Sequence, residues 1–161
     1  MRLFYERYAG YLTAVCTRYI PDREEAKDVL QESFISIFGA LDRFSYRGEG
    51  SLKAWAARIV ANNALKSLRR QGRLTFMGDV PDIPLEQEPQ TDSIPASVLH
   101  GFIQALPDGY RAVFNLFVFE KKTHREIASM LGIKEDSSAS QYFRARALLA
   151  RQIKQYLKEH E

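Results

Sequence analysis

The stretch from Thr123 to Ala150, THREIASMLGIKEDSSASQYFRARALLA, constrains the fold of this chain more than any other segment. Thr123 followed by Glu126 forms a capping box, in which the hydroxyl and the carboxylate each bond a backbone N–H at the start of a helix. Gly132 then allows the positive φ that a tight turn between two helices requires. The pattern predicts a short helix, a turn and a longer second helix.

The second helix of this pair has two chemically different sides. At about 100° per residue, one stripe carries hydroxyls and cations and the opposite stripe must pack. The first stripe holds Ser137, Ser140, Arg144 and Arg151, and the second holds Ser138, Tyr142, Ala145 and Leu149. Hydroxyl and guanidinium groups suit base edges and phosphates, and a helix-turn-helix lays its second helix in the major groove of DNA. A basic amphipathic helix in an ordinary bundle is the alternative.

Composition limits the remaining possibilities. The 161 residues carry a net charge of +3 and allow one or two small domains. No apolar run approaches the roughly 20 residues of a membrane span, and the first residues lack a signal-peptide pattern. The single Cys16 excludes an internal disulfide and is expected to be a small buried group in a reduced, cytoplasmic protein. The three histidines are scattered, so no metal site and no cofactor site are expected.

Four prolines and a run of acids mark residues 71–95 as a linker. The linker carries a net charge of −4, between a +4 segment at 1–70 and a +3 segment at 96–161. Its acids are Asp79, Asp82, Glu86, Glu88 and Asp92, for which solubility alone is a sufficient explanation. On both sides the apolar residues recur at helical spacing, so we predict an all-α protein of two small helical domains. The expected helices span 2–20, 23–41, 51–70, 96–105, 108–119, 123–131 and 137–158.

The expected helix 23–41 presents two faces. One stripe is apolar and predicted to form core: Ala26, Leu30, Phe34, Ile37 and Leu41. The opposite side gathers Asp28, Gln31, Glu32 and Ile35, which indicates a docking surface, although a merely solvated face with a single exposed isoleucine is also common.

The expected helix 51–70 combines a core face of small residues with an unusual solvent face. The core face holds Ala57, Val60, Ala61, Ala64 and Leu68, and the other holds Trp55, Arg58, Ile59, Asn62, Asn63, Lys66, Arg69 and Arg70. Cations bind phosphate, amides read base edges and aromatic rings stack on unpaired bases. The preceding loop, RFSYRGEGS, adds Phe44, Tyr46 and Arg47, which suit capture of an extruded base. Phe44 and Trp55, taken singly, could each be core residues.

With these motifs in series, the chain resembles the extracytoplasmic-function sigma factors of bacterial RNA polymerase, within the sigma-70 family. EEAKDVLQESFISIF resembles the polymerase-binding helix of that family, with Asp28, Gln31 and Glu32 on its D-x-x-Q-E signature. FSYRGEGSLKAWAARIVANNALKSLRR resembles its promoter-melting segment. LPDGYRAVFNLFVFEKKTHREIASMLGI with SSASQYFRARALL resembles its C-terminal helix-turn-helix.

The resemblance implies a sigma-2-like domain at 1–70, an acidic linker at 71–95 and a sigma-4-like domain at 96–161. The first would bind the clamp of the polymerase's largest subunit through Asp28, Gln31, Glu32 and Ile35. It would hold the opened −10 DNA through Phe44, Tyr46, Arg47, Ser51, Trp55, Arg58, Asn62, Asn63, Lys66, Arg69 and Arg70. The second would read the −35 duplex through Thr123, Arg125, Ser137, Ser138, Ser140, Gln141, Phe143, Arg144 and Arg146.

The resemblance also implies partners and a location. They are core RNA polymerase, promoter DNA and an anti-sigma factor, which could hold the cytoplasmic protein at a membrane without inserting it. The linker would thread the polymerase channel near the RNA path. Its 25 residues reach on the order of 80 Å. The two promoter elements lie about 70 Å apart, roughly two helical turns of DNA.

Several residues depart from the family's pattern. Lys121 and Asp136 stand where glycines are common, and Ala139 and Gln141 stand where basic residues are common. Lys66 replaces a frequent acid. These departures concern which promoter is read, rather than whether DNA is bound.

Two other classes of function remain to be weighed. A stand-alone helix-turn-helix regulator has no need of the Trp–Arg–Asn helix or of the Asp28–Glu32 face. An enzyme would need a catalytic set, and the sequence offers no nucleophile triad, paired catalytic carboxylates or phosphate-binding glycine loop.

Overall fold

The computed structural model describes residues 2–76 and 88–161, and these residues fold into helices joined by short loops. The helices are α1 (Arg2–Tyr19), α2 (Arg23–Ala40), α3 (Ser51–Arg70), α4 (Ala96–Gln104), α5 (Asp108–Val118), α6 (His124–Leu131) and α7 (Glu135–Glu159), with a 3₁₀ turn at Leu41–Arg43. The predicted all-α class is confirmed. Observed helix ends lie within two residues of the predicted ones, because caps and breakers fix them locally.

The chain divides into two compact units between Arg73 and Leu74. The first unit contains α1 to α3 and the second contains α4 to α7. The predicted linker acids Asp79, Asp82 and Glu86 lie outside the described residues. None of the helices in the described ranges is long and apolar enough to cross a membrane.

The first unit is a three-helix arrangement in which α3 packs against both α1 and α2. The face of α3 that packs consists largely of alanines, and small side chains let helix axes approach closely. Its buried residues are Ala56, Ala57, Val60, Ala61, Ala64, Leu65 and Leu68. Against them lie the larger buried side chains of the other two helices, including Leu12, Tyr19 and Ile37. The predicted small-residue core face of α3 is therefore correct.

The buried stripe of α2 differs from the prediction. Ala26 and Ile37 are buried as expected, but Leu30, Phe34 and Leu41 are only half-buried, and Val29 and Ser33 take their places in the core. Ser33 can be buried because its hydroxyl is satisfied: Oγ donates to the Val29 carbonyl at 2.7 Å and accepts from Asn63 Nδ2 at 3.1 Å. Because of this polar link between α2 and α3, the buried stripe of α2 includes Ser33 and differs from the purely apolar stripe that was predicted.

Cys16 lies in the core of the first unit, as predicted. Its side chain is fully buried and its thiol lies 3.5 Å from the Ala26 carbonyl oxygen. Burial, with a smaller contribution from the negative charge of Glu25, raises the pKa of Cys16 to about 12. The thiol is therefore protonated and unreactive at neutral pH.

The second unit is built around the packing of α5 and α6 against the long helix α7. One core cluster joins Ile103, Leu106, Tyr110, Ala145 and Leu149. Arg111 is also buried, and its guanidinium donates to the Leu106 carbonyl at 2.5 Å and pairs with the carboxylate of Asp108. A buried cation held by a carboxylate and a carbonyl braces the turn between α4 and α5.

The predicted helix-turn-helix is present in α6 and α7. Thr123 Oγ1 accepts from the Glu126 N–H at 3.1 Å, and the Glu126 carboxylate accepts from the Thr123 N–H at 3.1 Å, which completes the capping box. Gly132 adopts φ +68° at the end of α6, as the turn requires. Ile127 and Leu131 are buried, whereas Ala128 and Ile133 are half-buried.

Lys121 adopts a backbone conformation that side chains disfavour. Its φ is +54°, in the left-handed region, within the loop between α5 and α6. The conformation is imposed by the loop's hydrogen bonds, since Lys122 N–H donates to Leu116 O at 2.9 Å and Glu120 N–H donates to Asn115 O at 3.1 Å. The departure from a glycine at this position thus has a structural cost.

Replacement of Lys121 by glycine is expected to stabilise the second unit by about 0.5–1 kcal/mol. Relief of left-handed strain, about 1–2 kcal/mol, exceeds the added entropy of glycine in the unfolded chain. Urea unfolding of the full chain followed by circular dichroism measures the difference. Lys121→Ala is the control, since it removes the charge but keeps Cβ. If Lys121→Gly and Lys121→Ala raise the free energy of unfolding equally, the gain comes from loss of the charge, and the role of backbone strain is refuted.

Candidate nucleic-acid interface

The predicted docking face of α2 is exposed to solvent in the first unit. Asp28, Gln31, Glu32 and Ile35 all project from α2, and Ile35 is 74% exposed. Their spacing of three and four residues places them on one side of the helix. An apolar side chain this exposed, surrounded by two carboxylates and an amide, forms a surface that another protein could cover.

A shallow groove between α2 and α3 adjoins this docking face. Glu32 Oε2 lies 3.7 Å from an Arg70 guanidinium nitrogen across the groove, and both side chains are largely exposed. Deeper in the groove, Glu25 holds Arg73 at 2.8 Å. The acids of α2 thus meet one cation at the end of α3 and one just after it, Arg70 and Arg73.

The solvent face of α3 is a cationic surface. The helix carries Lys53, Arg58, Lys66, Arg69 and Arg70 and no acidic residue. Arg58, Asn62, Lys66, Arg69 and Arg70 are exposed, as the sequence predicted. Because the alanine face is occupied by packing, the cations collect on the side open to solvent, where a polyanion can reach them.

The loop before α3 is held in a defined shape. The Arg47 N–H donates to Ser51 Oγ at 3.2 Å, and the Phe44 N–H donates to the Leu41 carbonyl at 3.2 Å. Gly48 and Gly50 both have positive φ, which folds the chain back to the start of α3. Tyr46 is 73% exposed at the tip of this loop, beside the exposed Arg47.

Phe44 and Trp55 contact each other beneath the loop. Their ring centroids are 5.0 Å apart with planes inclined at 43°, and both side chains are half-buried. The structure therefore gives both rings a packing role while leaving part of each accessible to solvent. Such a half-open aromatic pair next to cations suits the stacking of an unpaired base.

Asn63 is a correction to the predicted −10 surface. Its side chain is half-buried and donates to Ser33 on α2, so it is committed to helix packing. Asn62, one residue earlier, is exposed. The two adjacent amides thus lie on different sides of α3, as a rotation of about 100° per residue requires.

The second unit exposes part of the predicted −35 surface along α7. Phe143 is 42% exposed, Arg146 is exposed, and Ser137, Ser140 and Arg144 are half-buried. Thr123 and Arg125 are exposed at the start of α6. Hydroxyl, aromatic and guanidinium groups thus lie along the accessible sides of one helix, beside the N-terminus of another.

Ser138 and Gln141 correct the surface that the resemblance implied, and the burial of Ser138 agrees with the packing stripe predicted from its spacing. Ser138 is fully buried, with its Oγ 2.9 Å from His124 Nδ1, and Gln141 is 3% exposed. Both lie on the face of α7 that also carries the buried Ala145, because residues three, four and seven apart share a side of a helix. In this conformation neither side chain is accessible to a DNA duplex.

An aromatic stack that sequence reasoning missed fixes the angle between α6 and the start of α7. The His124 ring stacks on Phe117 at 4.5 Å with planes inclined at 9°, and Phe117 contacts Tyr142 at 4.3 Å. The histidine was interpreted as scattered because its partners are 7 and 18 residues away in the sequence. Its place directly after the cap residue Thr123 was the available signal.

Comparison with known proteins identifies both units. The family model Sigma-70 region 2 matches residues 4–74 and the model Sigma-70, region 4 matches residues 97–149. The RNA polymerase sigma-H factor of Pseudomonas aeruginosa is 31% identical, over 95% of this chain and 86% of that protein. The ECF RNA polymerase sigma-E factor of Escherichia coli K12 is 27% identical, over 91% of this chain and 83% of that protein.

A solved structure has a related fold. It is the co-crystal structure of the sigma factor RpoE in complex with the anti-sigma factor NepR from Bartonella quintana. The TM-score is 0.56 at 19% identity, and the match covers 96% of this chain and 98% of that one.

Asn63→Ala is expected to lower the free energy of unfolding by about 1–2 kcal/mol, because it leaves the buried Ser33 hydroxyl without its donor. Asn62→Ala, the adjacent control, is expected to change it by less than about 0.5 kcal/mol. Urea unfolding of both variants checks the assignment. Equal stability of the two variants would contradict the packing role of Asn63.

Proposed function

The chain belongs to the sigma-70 family of RNA polymerase sigma factors, in the extracytoplasmic-function group, and we propose on that premise that its two units recognise two elements of one promoter. It is an alternative sigma factor that directs promoter-specific transcription. Proteins of this family are specificity subunits rather than enzymes. The observation that carries this proposal is that each unit exposes cations on one helix. These are Arg58, Lys66, Arg69 and Arg70 on α3, and Arg146 and Arg151 on α7.

The first unit binds core RNA polymerase through the α2 face. Exposed Asp28 and Glu32 offer carboxylates to cations of the partner, and Ile35 offers an apolar anchor that becomes buried on binding. The exposure of all four residues in the folded unit supports this role. Residue types in this arrangement suit a helical partner surface with basic residues around an apolar centre.

The same unit holds the opened −10 strand on α3. Arg58, Lys66, Arg69 and Arg70 bind backbone phosphates, and Asn62 is available to a base edge. A base taken out of the stack is received by the loop at Tyr46 and Arg47, against the open sides of Phe44 and Trp55. The half-open ring pair beside a face without acids supports this role.

The second unit binds the −35 duplex with α7 in the major groove. Arg144 and Arg146 contact bases or phosphates, Ser137 and Ser140 donate hydrogen bonds, and Phe143 offers an apolar contact. At the N-terminus of α6, the exposed side chains of Arg125 and Thr123 contact phosphate, which a helix N-terminus attracts. The exposed Ala139 offers no polar contact. The base beside it is therefore selected less strictly than it would be if a basic residue stood at this position.

A stand-alone helix-turn-helix regulator is the second candidate function. Such a regulator would bind DNA through the second unit in the same way, but it would have no function for the acidic face of α2. Binding to core polymerase therefore separates the two candidates. We further propose that the protein acts in the cytoplasm and is held inactive by an anti-sigma protein, as the related RpoE is bound by NepR in its co-crystal.

Charge reversal at Asp28 tests the proposed function. Asp28→Lys is expected to weaken binding to bacterial core RNA polymerase at least tenfold, because it places a cation against the basic partner surface. Biolayer interferometry on immobilised core polymerase gives the affinity.

Glu6→Lys is the control, since Glu6 is an exposed acid on α1 and its reversal changes the charge equally. It is expected to change the affinity less than twofold. Circular dichroism should give the same melting temperature for both variants. Failure of the unmodified chain to bind core polymerase would overturn the proposed function, and equal loss in both variants would overturn the assignment of the α2 face.

A further inference from the structure

Gly109 marks a place where the chain comes back onto the second unit. It is a buried residue in the first turn of α5. A Cβ added there would collide with the backbone carbonyl of Thr75 and would lie 3.1 Å from the Phe76 ring and 3.4 Å from Gln141 Oε1. Glycine is therefore required for close approach of the segment Leu74–Phe76, and not for a special φ.

The same position of α5 lies beside Gln141 of α7. Gln141 is only 3% exposed although it belongs to the helix that the proposed function places in the DNA groove. Residues 74–76 precede α4 by about 20 residues, yet they fall within the second unit. The segment Leu74–Phe76 is thus part of the packing of the second unit, although it lies only a few residues after α3.

A second contact comes from the other end of the linker. The carboxylate of Glu88 pairs with the guanidinium of Arg146 on α7. Arg146 stays 46% exposed and Glu88 stays 70% exposed, so solvent reaches the pair from several sides. Arg146 is one of the two arginines of α7 assigned to DNA above, and a carboxylate on it occupies the position of a phosphate oxygen.

We propose that Glu88, at one end of the linker, is an intramolecular occupant of the DNA-recognition helix α7, which a promoter duplex must displace. This inference rests on the proposed function of the second unit. The two linker contacts differ: Glu88 neutralises Arg146 on α7, whereas Thr75 and Phe76 pack at Gly109 of α5, beside Gln141. Both hold the linker ends on the second unit, and the Glu88 contact reduces what α7 can offer to DNA.

DNA phosphate can readily replace Glu88 as the partner of Arg146. An exposed ion pair contributes little to stability, so DNA can replace it at a small cost in affinity, of a few-fold. The phosphate backbone supplies the same type of acceptor at higher charge density. A partner that draws the linker ends away from α7 would raise the affinity of the second unit for its duplex, which couples linker position to promoter binding.

The test compares three forms of the full chain in binding to a 20-bp duplex of random sequence, by fluorescence anisotropy at low salt. Glu88→Gln is expected to bind about three- to fivefold more tightly than the unmodified chain. Asp92→Asn removes the same charge four residues further along and is expected to change affinity less than 1.5-fold. In an Arg146→Ala background, Glu88→Gln is expected to give no gain, since the group it releases is gone.

A second measurement needs no DNA. In ¹⁵N spectra of the full chain, the Arg146 side-chain Nε–H signal, identified by its loss in Arg146→Ala, is expected to move in Glu88→Gln and to stay in Asp92→Asn. Phe76→Ala is expected to move the Gln141 side-chain amide signals in the same way.

The outcomes separate the inference from the function. Unmoved Arg146 and Gln141 signals would overturn the inference whatever the DNA result. If the signals move but the unmodified chain and Glu88→Gln bind DNA with equal affinity, displacement by DNA is overturned while the proposed function stands. The same holds if Asp92→Asn gains as much affinity as Glu88→Gln. Moved signals with no DNA binding by any form would overturn the proposed promoter contact, and displacement with it.

Discussion

The close approach of α3 to α1 and α2 is the constraint on which the first unit depends. Four alanines of α3 are buried, and they let two neighbouring helices pack against one face of a 20-residue helix. With that face packed, Arg58, Lys66, Arg69 and Arg70 are left on the solvent side, and the helix carries no acid. A cationic surface is thus produced by the same residue pattern that produces the core. The acidic face of α2 and the cationic face of α3 meet at Glu32 and Arg70.

The second unit reaches a similar division by different means. Its long helix α7 buries Ser138, Gln141, Ala145 and Leu149 and leaves Phe143 and Arg146 exposed. The position of α7 is fixed by the capping box at Thr123, by the left-handed turn at Gly132 and by the stack of His124 on Phe117. The buried Arg111 braces the preceding turn. Polar atoms that are committed to packing are therefore as important to this surface as those that are exposed.

Local signals made most of this architecture predictable from the sequence. Helix ends follow from caps and breakers, the turn at Gly132 from its tolerance of positive φ, and the buried face of α3 from spacing. Contacts between residues distant in sequence were not predictable. The Ser33–Asn63 bond joins positions 30 apart, and it commits Asn63 to helix packing instead of the predicted DNA surface. Gln141 lies beside Gly109 of α5, where Phe76 also approaches, and the sequence near α7 carries no signal of either neighbour. Resemblance to a family assigned Gln141 and Ser138 to DNA without regard to this packing.

The most direct test of the account is run-off transcription by purified bacterial core RNA polymerase, with and without this chain, on a promoter library randomised over the −35 and −10 regions. Sequencing of the transcribed templates gives the selected elements. The account predicts RNA only when the chain is present, from templates that share two sequence blocks at a constant spacing, one for each cationic helix. RNA synthesis no greater than that of core polymerase alone, or templates enriched in a single block, would contradict it.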